Sequence, residues 1–286
     1  MVQELVMGNE AIALGALKAG VSVVTGYPGT PSTEILETIA RRNPGDVYVE
    51  WSVNEKVALE VAAGAALAGA RAMVTMKQVG LNVASDPVMS LAYIGVKGGM
   101  VIVVADDPGP ISSQTEQDTR QFGVFSKLPV FDPTSPEEAY AMIGQAFQYS
   151  EKYQTPVLFR PTTRICHASV SLEISSERAK VAPEGFVKDP KWVIFPRLSY
   201  LNHIKIEKRN EVLAEDFATY KANEIIAAGD FCRKGIAAGG ISYVYAKEAL
   251  KLLGVSCKLF KVATPYPFPE RLAREFLQQV DEVLVL

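Results

Sequence analysis

Three polar side chains of this sequence stand where they can bind a small ligand: Thr30, Glu55 and Arg120. Thr30 lies in the turn GYPGTPSTE, where a hydroxyl and free amides at a helix start suit a carboxylate or carbonyl group. Glu55 is predicted to open an alanine-rich helix that Asn54 caps, where close packing would hold its carboxyl group so that it can share a proton with a buried ligand. Arg120 is the fixed cation of a long polar loop, and a guanidinium can hold a carboxylate through two hydrogen bonds.

Each of these residues also has a purely structural explanation. Thr30 can cap a helix whose first residue is Pro31, a position that proline favours. Glu55 can be an ordinary first-turn glutamate that compensates the helix dipole. Arg120 can be a solvated arginine paired with Asp118. The residues alone leave both explanations open in all three cases.

The elements that must position these residues alternate between strand and helix. A first helix is predicted over Gly8 to Lys18 with a stop at Gly20, and Asp86-Pro87 and Ser135-Pro136 both place proline at a predicted helix start. Short apolar runs between the helices are typical of buried parallel strands: VSVV, VYVEW, AMVTM, MVIVVAD and PVLFR. This alternation predicts an open, mostly parallel α/β sheet with helices on both faces.

Four predicted loops follow these strands, and they include GYPGTPSTE, the VNEK junction and the polar loop 106–123. The fourth is KQVGLNVASDP. This stretch lacks the spacing of a phosphate-binding loop, so it can equally be an ordinary connecting loop. Ligands of open α/β sheets bind beyond the carboxyl ends of the strands, so we expect all four loops to open on one edge as a joint site.

The chain divides into three parts by pattern. We assign residues 1–170 to the first α/β domain, 171–216 to a long linker with prolines and no sustained period, and 217–286 to a second, smaller α/β domain. The sequence stops within EVLVL, which is predicted to be a core strand. Because a parallel strand normally feeds a crossover, we expect a longer polypeptide, although a natural short subunit stays open.

Composition excludes several classes of function. The 286 residues carry a formal net charge of −3, which provides no basic surface for nucleic acid or a membrane. No apolar run approaches the roughly 20 residues that span a bilayer, and the first residues do not form a signal peptide. Three separated cysteines without CxxC spacing predict no metal site, and inert thiols in a reducing cytoplasm are expected.

Known catalytic motifs are missing from the sequence. It has no G-x-S-x-G serine turn, zinc-protease motif, phosphate-binding P-loop or GxGxxG fingerprint. The residues therefore predict an α/β protein with an anionic-ligand site and one specially placed glutamate, and they do not name a reaction.

A resemblance to a known family adds the reaction. At residues 27–35, 50–72, 76–110 and 112–123, this chain resembles the thiamine-diphosphate-dependent 2-oxoacid:ferredoxin oxidoreductases. Within that family, it is similar to the large (alpha) subunit of the indolepyruvate branch. The likeness is strong over the first 165 residues. The last 70 or so resemble the family's second domain, which is similar to the C-terminal domain of transketolase, but their motifs are less specific.

The resemblance implies roles for particular residues. The glutamate of the family's NEK position binds N1′ of the thiamine aminopyrimidine, and here it is Glu55. Thr30 resembles a threonine that contacts the substrate, and Arg120 resembles an arginine that holds the substrate carboxylate. The resemblance also points to a set of cofactor-binding positions beside Glu55: Pro28, Gly29, Gly80, Leu81 and Asn82.

The reaction that the resemblance implies is oxidative decarboxylation of an arylpyruvate such as indolepyruvate to an aryl-acetyl-CoA and CO2. Coenzyme A and ferredoxin are the implied co-substrates, with a second (beta) subunit and self-association as further contacts. Magnesium and 4Fe–4S clusters belong to family domains that this chain lacks, so the chain alone is expected to be inactive. Alternatives are a branched-chain, pyruvate or 2-oxoglutarate enzyme, or a non-catalytic scaffold subunit.

Overall fold

The strands and helices are known from a computed structural model that describes residues 2–228 and 232–286. The strands are β1 (Val2–Met7), β2 (Val23–Gly26), β3 (Tyr48–Trp51), β4 (Ala72–Lys77), β5 (Met100–Ala105), β6 (Val130–Phe131), β7 (Val157–Phe159), β8 (Ser169–Ile174), β9 (Glu224–Ile226), β10 (Lys234–Ala238), β11 (Lys258–Lys261) and β12 (Glu282–Val285). The helices are α1 (Gly8–Lys18), α2 (Thr33–Arg42), α3 (Glu55–Leu67), α4 (Gln78–Ile94), α5 (Thr119–Ser126), α6 (Pro136–Tyr153), α7 (Thr163–His167), α8 (Pro196–Ala218), α9 (Gly240–Leu253) and α10 (Glu270–Leu277).

A six-stranded parallel sheet lies at the centre of the first part of the chain, in the order β3-β2-β4-β5-β7-β6. Every residue of its strand β5 is buried, because helices cover both faces. Val101 and Val103 pack into the core that contains α1 and α6, whereas Ile102 and Val104 pack on the opposite face against α3 and α4. The predicted fold class is therefore confirmed.

Helix α1 begins at Gly8, ends at Lys18 and is followed by Gly20 in a left-handed conformation, as predicted. Its glycines allow close backbone contact: a Cβ built on Gly15 would lie 2.4 Å from the carbonyl oxygen of Tyr140 in α6. Strand β1 precedes this helix and pairs with β8 in a separate antiparallel ribbon that the sequence did not predict. Two exposed apolar residues, Val2 and Leu5, break the alternation that marks a strand.

Residues 171–216 are predicted to form a long linker with no sustained period. That expectation is wrong for the second half, which α8 occupies up to and beyond residue 216, as far as Ala218. Pro196 stands in the first turn of this helix, a position that proline favours. The buried stripe of α8 contains Leu213 and Phe217, which join the core of the large sheet. It also contains two asparagines, Asn202 and Asn210, and these polar residues conceal the helical period. The boundaries at 170 and 217 stay a prediction.

The second, smaller sheet has the order β12-β10-β11-β9, with β9 antiparallel to its neighbour. Backbone hydrogen bonds attach it to β6 of the large sheet: the amide of Val130 donates to Tyr266 O at 2.7 Å, and the amide of Asp132 donates to Ala263 O at 2.8 Å. The small α/β unit at the end of the chain is therefore present as predicted. None of the helices within the described ranges is both long and apolar enough to cross a membrane.

We expect Gly15→Ala to lower the free energy of unfolding by about 2 to 3 kcal/mol, because the added methyl group collides with the backbone of α6. Gly64→Ala is the matched control, since Gly64 also lies inside a helix but a Cβ there meets nothing within 4 Å. Gly64→Ala should be neutral or stabilise the protein by up to about 1 kcal/mol. Denaturant unfolding measures both, and equal effects would contradict the close approach of α1 and α6.

Candidate functional site

The carboxyl ends of the parallel strands lie side by side along one edge of the large sheet. Gly26, the last residue of β2, pairs with Trp51 of β3 and with Thr75 of β4, and Lys77 of β4 pairs with Ala105 of β5. The segments that follow these four strands therefore meet at this edge, as predicted. They bring Thr30, Glu55 and Gly80 into one region through the contacts described next.

The GYPGTPSTE turn closes on itself before α2 begins. The amide of Ser32 donates to Gly29 O at 2.9 Å, the Gly29 amide donates to Thr33 Oγ1 at 2.9 Å, and the Thr30–Pro31 peptide is cis. The prediction that Thr30 caps a helix starting at Pro31 is wrong, because this turn occupies both residues and α2 starts at Thr33. Thr30 is instead exposed at the turn, with its side chain free to contact a ligand.

Asn9 of α1 fixes this turn from behind, a contact that the sequence did not reveal. Its Nδ2 donates to Pro31 O and to Glu34 Oε2, both at 2.7 Å. Asn9 is fully buried, and its Oδ1 has no hydrogen-bond partner in the described part of the chain. Because 22 residues separate Asn9 from Pro31 in the chain, no local pattern indicates this contact.

Glu55 is the first residue of α3 and is held there by a side-chain cap. As predicted, Asn54 caps the helix, with Oδ1 accepting from the Val57 amide at 2.9 Å. Glu55 is only 9% exposed, yet no described residue forms a hydrogen bond or ion pair with its carboxylate. A carboxylate that the described residues leave unpaired at the edge of the sheet is available to a partner from outside the chain.

Gly80 lies directly against the Glu55 carboxylate. A Cβ built on Gly80 would come within 2.5 Å of Glu55 Oε1, so any larger residue would displace the carboxyl group. The predicted KQVGLNVASDP loop is wrong, because α4 already begins at Gln78 and Pro87 lies inside the helix. Proline is favoured at a helix start, but Pro87 lies inside α4. The buried residues of α4 pack on α3 both before and after Pro87 in the chain.

The remaining cofactor candidates occupy different positions around this edge. Leu81 is 3% exposed and belongs to the apolar core, whereas Asn82 is exposed on the surface of α4. Pro28 is exposed, and Gly29 lies against the side chain of Lys77, where a Cβ would come within 3.0 Å of its Cδ. The backbone of the turn is thereby packed on the end of β4.

The loop after β5 is tied together by Asp107. Its Oδ2 accepts hydrogen bonds from the amides of Ile111, Ser112 and Ser113 at 3.0, 2.9 and 3.1 Å, and its Oδ1 accepts from the Thr163 hydroxyl at 2.8 Å. Burial acts to raise the pKa of Asp107, but these hydrogen bonds outweigh it and leave the pKa below its ordinary value. The carboxylate therefore stays ionised and orders the loop.

Two contacts place this loop beside the other segments of the edge. The Ser112 hydroxyl donates to Thr30 O at 3.5 Å, and Gln78 Nε2 donates to Thr115 O at 3.2 Å. Gln78 is 1% exposed, and its Oε1 has no partner among the described residues. The turn, the start of α4 and the loop thus form one continuous surface next to Glu55.

Arg120 is bound to Asp118, the N-cap residue of α5. Its Nε and Nη2 each lie 2.9 Å from a carboxylate oxygen of Asp118. Burial acts to raise the pKa of Asp118, but Arg120 lowers it overall. Within residues 2–228 and 232–286, no hydrogen bond or ion pair joins Arg120 to Thr30 or Glu55. The structural explanation of Arg120 is therefore present, while its Nη1 keeps no hydrogen-bond partner in the described chain.

A buried charge cluster behind this edge was not predicted from the sequence. Arg160, directly after β7, donates through Nε to Asp106 Oδ2 at 2.6 Å and through Nη1 to Asp132 at 3.4 Å, and its Nη2 lies 3.9 Å from Asp118 Oδ1. Asp106 also accepts from the amide and hydroxyl of Thr119 at 3.0 and 2.5 Å. One guanidinium thus joins the ends of β5 and β6 to the start of α5.

A crevice of ≈ 350 Å³ lies beside this cluster, between α5 and the carboxyl ends of the strands of the small sheet. Its walls include Arg120, Asp132, Gly239 and Phe268. Asp132 faces the N-terminus of α9, where a Cβ on Gly240 would lie 2.9 Å from its Oδ1. No group of three or more His, Cys, Asp or Glu side chains in the described ranges is arranged to hold a metal ion.

Comparison with known proteins places the chain in a family. Residues 14–195 match the family described as "Pyruvate flavodoxin/ferredoxin oxidoreductase, thiamine diP-bdg". Because this match covers more than half of the chain, the chain belongs to that family. The resemblance noted in the sequence is confirmed.

Two relatives with assigned names support this family assignment. An "Indolepyruvate oxidoreductase subunit IorA" from Archaeoglobus fulgidus is 42% identical over 291 residues, which cover 98% of this chain and 46% of the relative. A "2-oxoglutarate synthase subunit KorA" from the same organism is 28% identical over 309 residues, covering 100% of this chain and 88% of the relative. This chain therefore spans about half the length of the indolepyruvate oxidoreductase subunit.

The fold is shared with a solved 2-oxoglutarate:ferredoxin oxidoreductase from Magnetococcus marinus, which has 2-oxoglutarate, coenzyme A and succinyl-CoA bound. The TM-score is 0.80, and the match covers 99% of this chain and 57% of that chain. The sequence identity is 20%, so this likeness concerns the fold alone.

The charge cluster predicts an unusual pH dependence of stability. Burial raises the pKa of Asp132 from 3.8 to about 6, although Arg160 acts in the opposite direction. Because the folded carboxyl group binds its proton more tightly than the unfolded one, its contribution to stability falls as pH rises from 4 to 6. Relative to Asp132→Asn, the wild-type protein should gain up to about 3 kcal/mol between pH 7 and pH 4. Parallel stability curves of the two proteins, measured by denaturant unfolding, would contradict this.

Proposed function

We propose that this chain supplies the aminopyrimidine half of a thiamine diphosphate site in an arylpyruvate:ferredoxin oxidoreductase. The observation that carries the proposal is the buried Glu55 carboxylate, which has no partner among the described residues and faces Gly80. A carboxyl group in that state fits a ring nitrogen that shares a proton with it. The family description, which names thiamine diphosphate, supports the same assignment.

The neighbouring residues are proposed to shape the rest of this half-site. Gly80 leaves the space in which the Glu55 carboxyl group meets the ring, because a side chain there would collide with Oε1. Pro28 and Gly29 provide a turn that is fixed on Lys77, Asn82 extends the surface along α4, and Leu81 supports that surface from the core. Such a surface of fixed groups binds a planar ring without rearrangement.

When bound, thiamine diphosphate supplies a nucleophilic carbon and an electron sink for decarboxylation. Glu55 is proposed to hold the proton that it shares with N1′ of the aminopyrimidine and so to set which tautomer of that ring is present. The exposed Thr30 hydroxyl is proposed to donate a hydrogen bond to the carbonyl oxygen of a 2-oxoacid. Magnesium and 4Fe–4S clusters are proposed to be held outside this chain.

Arg120 is proposed to bind the substrate carboxylate without leaving Asp118. Its Nε and Nη2 are engaged by that aspartate, but no described residue accepts a hydrogen bond from Nη1. The side chain is 38% exposed, so an incoming carboxylate can reach it. Asp118 then fixes the orientation of the guanidinium group.

An arylpyruvate is the proposed substrate because of the surface next to α4. A cavity of ≈ 290 Å³ there is lined by Leu81, Phe122 and Phe125 together with six polar residues, and its two phenylalanines offer aromatic contacts to an aryl side chain. The relative whose name includes indolepyruvate is also more similar to this chain than the 2-oxoglutarate synthase subunit. Coenzyme A, ferredoxin, a second subunit and a second copy of the chain are proposed partners in a cytoplasmic enzyme.

The first test concerns Glu55 in the complete enzyme, which is this chain together with the part of its longer relatives that the 286 residues do not span. Glu55→Gln should lower the rate of C2–H exchange on thiamine diphosphate at least about 100-fold, because the amide cannot share the proton as a carboxyl group does. Proton NMR measures this exchange. Glu60→Gln is the control, since Glu60 lies in the same helix but is exposed.

Near-wild-type exchange in Glu55→Gln would reject the role of Glu55 while leaving the family assignment intact. Complete absence of thiamine-dependent activity in the assembled wild-type enzyme would reject the catalytic proposal and favour a scaffold subunit. The chain by itself is expected to release no CO2 from any 2-oxoacid.

The substrate is tested by a panel of 2-oxoacids with the same assembled enzyme. We expect kcat/KM for indolepyruvate and phenylpyruvate to exceed that for pyruvate, 3-methyl-2-oxobutanoate and 2-oxoglutarate by about 100-fold, an amount that contacts to an aryl group can provide. Reduction of ferredoxin, followed by absorbance, gives the rates. A preference for 2-oxoglutarate would overturn the arylpyruvate assignment but would keep the decarboxylase reaction.

A further inference from the structure

Two cysteines that are far apart in sequence meet in the small sheet. Cys232 precedes β10 and Cys257 precedes β11, and these two strands run parallel with Gly235 opposite Lys258. The Cys232 thiol donates to the carbonyl oxygen of Ser256, the residue before Cys257, at 3.1 Å. Both thiols therefore lie at the amino end of the same strand pair.

The surroundings of the three thiols differ sharply. Cys166 is fully buried, and burial raises its pKa well above the ordinary range of a thiol. Cys232 and Cys257 are both half-buried and reachable from solvent. Burial and the neighbouring Cys232 thiol raise the pKa of Cys257. The raised pKa leaves less of the Cys257 thiol ionised, and a thiolate rather than a thiol attacks disulfides.

We propose that Cys232 and Cys257 are an oxidation site that closes to an intramolecular disulfide when a low-molecular-weight disulfide is available. The Cys232 thiolate attacks one sulfur of that disulfide, which forms a mixed disulfide and releases one small thiolate. The Cys257 thiolate then attacks the Cys232 sulfur, forms the Cys232–Cys257 bond and releases the second small thiolate. The two protein thiols give up two protons and two electrons, and the small disulfide takes up both electrons.

The bond would join the chain on both sides of β10 and α9 into one covalent ring. A ring of this length stabilises a protein mainly by restricting its unfolded state. The pair lies at the amino ends of β10 and β11, whereas the crevice beside Asp132 and Gly239 lies at their carboxyl ends. Oxidation therefore stabilises the small sheet without covering that crevice, and it does not depend on the proposed enzymatic function.

The purified chain is titrated with mixtures of reduced and oxidised glutathione. After denaturation, thiol counting should fall from three thiols to one, the protein mass should fall by about 2 Da, and a digest should yield a peptide pair linked through Cys232 and Cys257. The midpoint of thermal unfolding should rise by about 5 °C on oxidation. Reduction with dithiothreitol should reverse all of these changes.

Two serine variants make the result decisive. Cys257→Ser should stop at the mixed disulfide and retain one glutathione on Cys232, whereas Cys166→Ser should close the bond as the wild-type protein does. In the wild-type protein, three remaining thiols, a persistent glutathione adduct or a disulfide between two chains would each overturn the proposal. Because these measurements concern only covalent state and unfolding, their outcome is independent of the activity tests.

Discussion

One buried guanidinium group holds the functional edge of this protein together. Arg160 is 6% exposed and is surrounded by carboxylates from three elements, Asp106, Asp118 and Asp132. Burying a charge costs several kcal/mol unless oppositely charged or hydrogen-bonding groups surround it, so these contacts must form together. They fix the ends of β5 and β6, the start of α5 and, through Asp132, the junction with the small sheet. The start of α5, which carries Arg120, is ordered on this base.

The carboxylate of the proposed half-site differs from its neighbours because they are paired and it is not. Asp106, Asp107 and Asp118 are all engaged by amides, hydroxyls or guanidinium groups. Glu55 is 9% exposed, against 0% for Asp106 and Asp107, yet no described residue pairs with it, and Gly80 keeps the space beside it free of a side chain. A fold that satisfies its other buried carboxylates and leaves one unpaired beside a glycine has the form of a site for a ligand.

Local rules predicted several elements well and failed at others for identifiable reasons. Helix α1 and the cap at Ser135 follow from nearby residues, and both were found where expected. Pro31 and Pro87 misled the prediction of helix starts, because a closed turn occupies the first and a tightly packed helix interior holds the second. Helix α8 was missed because asparagines interrupt its buried stripe.

The sequence by itself determined the parallel α/β fold, the capped start of α3 and the place of Glu55 at the carboxyl edge, since these depend on apolar runs and short-range capping. It also indicated the family. The tertiary structure alone decided that Asn9 holds the turn, that Gly80 faces Glu55 and that Arg160 joins its aspartates. These contacts join residues that are 22 or more positions apart, and no periodicity or capping rule acts over such a distance. Only the packing of helices on the sheet brings them together.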